Sequence, residues 1–73
     1  MFDEKYKKWP KNIVDLIYID NKLTKKDKTY INNTLNVAAL RLFVNFRYTT
    51  DPQRYDKMKK TELIEELKYS RYS

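Results

Sequence analysis

The sequence predicts an all-α fold, a small three-helix domain built on one long central helix, and three observations carry that prediction. Ile31, Leu35, Ala38, Ala39, Leu42 and Phe46 fall within about 100° of one another on a helical wheel. Thr24-Lys25-Lys26-Asp27 has the form of a capping box with Asp in the usual Glu position. Gly is absent from all 73 residues, and tight β-hairpins mostly turn on Gly whereas helix hairpins do not need it. A small α+β fold is the alternative. Ile13-Val14-Asp15-Leu16-Ile17-Tyr18-Ile19 is rich in β-branched residues, and Leu40, Leu42, Val44, Phe46 and Tyr48 alternate with their neighbours as a strand over 40–49 would.

In chain order, Phe2, Tyr6 and Trp9 are spaced i, i+4, i+7, which predicts a short first helix ending near Lys8, because Pro10 pushes Trp9 out of helical angles. Pro10 then suits the first turn of a new helix, with Asn12 as a second candidate cap and Ile13, Leu16 and Ile17 as its apolar face. Asp20-Asn21-Lys22 reads as a turn. From Thr24 the periodicity predicts one helix to about Tyr48, with a second apolar stripe of Val37, Leu40, Val44, Tyr30 and Tyr48 on its far side. Thr49-Thr50-Asp51-Pro52 breaks it, Asp51 being able to cap and Pro52 to start the next turn. A loose turn over 53–57 precedes a last helix, about Lys59 to Tyr69, with Met58, Leu63, Ile64 and Leu67 on its apolar face. The length suits a single domain, 1–73, with mobile ends at 1–9 and 69–73.

Composition excludes much. His and Cys are both 0, which removes the thiolate nucleophile, ordinary zinc sites and the side chain that titrates near neutrality. Zero Gly removes phosphate-binding glycine loops. The expectation is therefore a protein that is not an enzyme, with no catalytic residue, no metal site and no cofactor. Glu62, Glu65 and Glu66 alone would make a loose cation site, and helix-dipole charge explains them better. No apolar run approaches the ~20 residues of a membrane span, and Met1-Phe2-Asp3-Glu4 lacks a signal-peptide head, so a cytoplasmic protein is expected.

Two surfaces remain as candidates. The second stripe of the long helix, Val37, Leu40, Val44 and Tyr48, with Trp9 and Tyr55, would dock on another protein if the flanking helices leave it open. A homodimer is its simplest partner and an adaptor or inhibitor its simplest role. The many residues with A- and T-rich codons, Lys, Asn, Ile, Tyr and Phe, suggest a phage or mobile-element product acting on a host factor. The alternative is weakly sequence-specific nucleic-acid binding. The net charge is +6, and Lys22, Lys25, Lys26 and Lys28 form one cluster and Lys57, Lys59 and Lys60 another. Cations at helix starts oppose the helix dipole, so helix stability does not explain them. If the clusters converge they can follow a phosphate backbone. Tyr6, Trp9, Tyr55, Tyr69 and Tyr72 lie among Lys and Arg and are expected near the surface, where aromatic rings stack on exposed bases.

Overall fold

Pro10 opens the first described helix with its carbonyl, which accepts from the N–H of Ile13 (3.0 Å) and of Val14 (3.2 Å). The structure, a computed structural model, describes residues 9–48 and 52–71. Among these it is all-α: α1 is Lys11–Tyr18, α2 Lys25–Thr34, α3 Val37–Tyr48 and α4 Lys60–Glu66, with a 3-10 turn at Pro52–Tyr55. Neither segment with strand character pairs as one; 13–18 and 40–48 are helical. Pro10, not Asn12, holds the cap position of α1. The predicted first helix before Trp9 and the Asp51 cap lie outside the described residues.

The single long helix is the main correction. It is broken after Thr34, so there are four α-helices among the described residues rather than three. Leu35 is extended at φ −105°, ψ 137°. Asn36 starts the next helix, its Oδ1 accepting from the Ala39 N–H at 2.8 Å. Asn is a poor helix-interior residue and a good cap, worth about 1 kcal/mol there. The larger reason is apolar burial. On a straight rod Ile31 and Leu35 would face roughly 180° away from Leu40 and Val44. With the break all four are buried in one core, and burying Leu or Val contributes about 1.5–3 kcal/mol each. That exceeds the few backbone hydrogen bonds lost at the break, each worth about 1 kcal/mol net.

The core draws Ile13, Leu16 and Ile17 from α1, Leu23 from the loop, Ile31 and Leu35 from α2 and its end, Leu40, Phe43 and Val44 from α3, Tyr55 from the 3-10 turn, and Leu63 and Leu67 from α4. The stripe expected to face a partner is thus the core face of α3. The stripe expected to face the core is only partly so, since Leu42 and Phe46 are half-buried and Ala38 is exposed.

Side-chain bonds to backbone fix the helix directions. Arg41 Nη2 donates to Met58 O (3.2 Å), just before α4. The Tyr48 hydroxyl, at the other end of α3, lies 3.0 Å from Glu66 O and 2.7 Å from Tyr69 O. The helices α3 and α4 therefore run the same way. Arg47 Nη1 donates to Leu16 O (2.8 Å) and Ile19 O (2.6 Å), and Nη2 to Asn21 O (2.6 Å), so α1 ends at the same place. The helix α2 starts near that end and stops two residues short of α3's start, so it runs back against both. Thr24 caps it as the sequence predicts: Asp27 N donates to Thr24 Oγ1 (3.1 Å) and Thr24 N to Asp27 Oδ2 (3.3 Å).

Candidate functional site

Three of the six residues expected to dock on a partner lie in the core. Leu40 and Val44 are 0% exposed and Tyr55 is 2% exposed. Tyr48 is half-buried, and its hydroxyl is used within the chain. Trp9 packs on the rings of Phe43 (6.3 Å between centroids) and Phe46 (6.4 Å). Val37 alone among the six is exposed. The covering is done by the short helices: α1, α4 and the 3-10 turn pack around α3 from several sides.

The lysines are arranged differently. Lys22, Lys25, Lys26, Lys57 and Lys59 are exposed, and Lys28 and Lys60 half-buried. The helices α2 and α4 lie beside each other with an open groove of about 410 Å³ between them. From α2 it is lined by Lys25, Lys28, Thr29 and Asn32, and from α4 by Thr61, Ile64 and Glu65. Lys25 and Lys28 enter from the start of α2. Lys60 precedes Thr61 and lies about 40° from Ile64 on the wheel of α4, at the opposite end of the groove because the two helices are antiparallel. From the first lysine cluster Lys25 and Lys28 line the groove, and from the second Lys60 adjoins the lining residue Thr61 in sequence.

Nearby carboxylates are largely committed elsewhere. Asp27 caps α2. Glu62 Oε1 accepts from the Lys59 N–H at 3.1 Å, at the start of α4. Glu66 faces Arg54 at 4.0 Å. Among the described residues Glu65 is the one carboxylate lining the groove. The groove thus carries two lysines, Lys25 and Lys28, against one carboxylate, Glu65. Thr29 Oγ1 already donates to Lys25 O (3.0 Å), so its remaining capacity is as an acceptor.

Sequence reasoning missed two things. Asn32, Thr61 and Ile64, which shape the groove, carry no signal until α2 is known to fold back on α4. Arg47, to which sequence reasoning assigned no role, is wholly buried. Its signal was present: Leu40, Phe43, Val44 and Arg47 are spaced i, i+3, i+4, i+7, so the guanidinium occupies a core position. Among the described residues no group of three or more acidic side chains could hold a metal ion, and no helix is long and apolar enough to cross a membrane. Compared with known proteins, the chain matches no family model, and no curated protein or solved structure matches it either.

Proposed function

We propose that this is a non-enzymatic nucleic-acid-binding protein of weak sequence specificity, working in the cytoplasm, that holds a phosphate backbone along the groove between α2 and α4. The observation that carries the reading is that Lys25 and Lys28 line that groove, with Lys60 next in sequence to its lining residue Thr61. Lysine is a compact point charge suited to phosphate, and the chain has 12 Lys against 4 Arg. Base-edge readout leans on Arg and on an exposed helix in the major groove. Here the helix that follows the two-residue turn, α3, is the most buried of the four, so it has no face to offer. The protein-docking reading has less support, since Leu40, Val44 and Tyr55 are in the core.

Fluorescence anisotropy with labelled duplex and single-stranded oligonucleotides at low salt tests this. The chain is expected to bind, and the triple variant Lys25→Glu, Lys28→Glu, Lys60→Glu to lose at least tenfold in affinity with its circular dichroism spectrum unchanged, because none of the three is in the core. Absence of binding at low salt, or full affinity in the variant, would overturn the proposal.

A further inference from the structure

Three successive carbonyls of the loop between α1 and α2 are held from outside that loop. Ile19 O and Asn21 O accept from Arg47, both at 2.6 Å, and Asp20 O between them accepts from the Arg71 N–H at 3.1 Å. The Arg71 guanidinium carbon also lies 5.1 Å from the centre of the Tyr18 ring, at the end of α1. The segment that carries Arg71 is itself tied to α3, because the Tyr48 hydroxyl meets Tyr69 O at 2.7 Å. Adjacent residues of α3 therefore hold the two sides, Arg47 the loop and Tyr48 the segment after α4, and Arg71 joins them. The loop leads into a helix with a slight hold on the core. The helix α2 buries one side chain of ten, Ile31, where α1 buries three of eight and α3 four of twelve. Leu23 and Leu35 flank it, and nine of the twelve buried apolar residues among those described lie outside 23–35. The helices α1 and α4 and the 3-10 turn pack on α3, whereas α2 packs chiefly on α4. At its far end α2 reaches α3 through Leu35 and Asn36, neither of them helical.

We propose that α2 is a flap, hinged at Leu35-Asn36 and latched by Arg71 on the α1–α2 loop, which opens as a unit while α1, α3 and α4 stay packed. Elements with few buried apolar residues open locally at a lower free energy than the whole domain. A few residues at the end of an element are enough to absorb the hinge rotation. The latch is small, one backbone hydrogen bond and one cation over a ring, so it holds the loop without making α2 part of the core. Opening parts the walls of the α2–α4 groove, carrying Lys25 and Lys28 away from Thr61 and Ile64. The inference rests on packing and not on what the groove binds.

Native-state amide hydrogen exchange of the full chain, read residue by residue by NMR and corrected for intrinsic rates, tests this. In the wild type the helical amides of 28–34 in α2 are expected to exchange about tenfold or more faster than those of 41–47 in α3. Arg71→Pro removes the N–H and the guanidinium together and is expected to speed exchange across 28–34 about tenfold further, with 41–47 unchanged. Tyr18→Ala keeps the backbone bond and is expected to act in the same direction by about threefold. If Arg71→Pro fails to fold, Tyr18→Ala decides the matter. Equal exchange of the two helices in the wild type, or equal acceleration of both in the variants, overturns the flap, since α2 then opens only with the whole chain. Unchanged exchange of α2 in the variants overturns the latch.

Discussion

Arg47 and the lysines of the α2–α4 groove carry the same charge and meet opposite fates. Arg47 is fully buried, and its guanidinium is spent on three backbone carbonyls where α1 ends. Carbonyls at a helix C-terminus lack intrahelical partners and bear partial negative charge, so a planar, always-charged fork suits them. Lys25 and Lys28 stand on a helix start, where the dipole opposes them, and line a groove open to solvent. The first arrangement pairs both terminal nitrogens of the cation within the fold. The second leaves cations facing solvent. The side chain's partners, not its charge, separate the two cases.

The sharpest break in that comparison is removal of the buried cation. Arg47→Met leaves the ends of α1 and its loop without their donor and is expected to cost about 3 kcal/mol or more, a large share of what a domain of this size has. Urea denaturation reads it. Arg47→Lys is expected to recover only part of the loss, since one ammonium cannot match the forked geometry. A variant as stable as wild type would mean that water satisfies those carbonyls equally well.

Smaller effects sharpen the other side. Glu65→Gln removes the carboxylate lining the groove and is expected to tighten binding of a phosphate backbone severalfold with no change in fold. Unchanged affinity on anisotropy titration would place the backbone away from the groove. The smallest expected effect concerns Tyr48. Burial raises its hydroxyl above the ordinary value of 10.0, against the lowering influence of the neighbouring Arg47. A raised folded-state value means that the folded chain holds the proton more tightly. This contribution is fully present below pH 10 and is lost as pH rises through the folded value. Tyr48→Phe is expected to cost about 1 kcal/mol at neutral pH and to show a shallower loss of stability above pH 10 than wild type. Identical alkaline profiles for the two proteins would remove Tyr48 from that transition.

Local signals were legible in the sequence. Thr24 and Asp27 announce the start of α2, Pro10 the start of α1, and Ile13, Leu16 and Ile17 its buried face, because each depends only on residues within one or two turns. The break at Leu35-Asn36 was not legible. Asn36 adds only a weak local preference, and apolar residues continue with helical spacing on both sides of it, so the choice is made by core burial across the whole chain. That break resets the phase of α3, which is why the stripe expected outside is inside. Aromatics followed the same rule: Tyr55 is in the core and Tyr69 is not, although both lie among charged neighbours. The lysine clusters were visible as clusters, but the groove that Lys25 and Lys28 line depends on α2 running back against α4.

The central claim, that the groove lysines meet phosphates, is tested most directly by the salt dependence of oligonucleotide affinity in the wild type and in Lys25→Glu. The logarithm of the binding constant is expected to fall linearly with the logarithm of salt concentration, by about 0.7 per phosphate neutralised on a single strand, and the variant's slope to be shallower by about one contact. The same slope in both proteins, or a flat response, would contradict it.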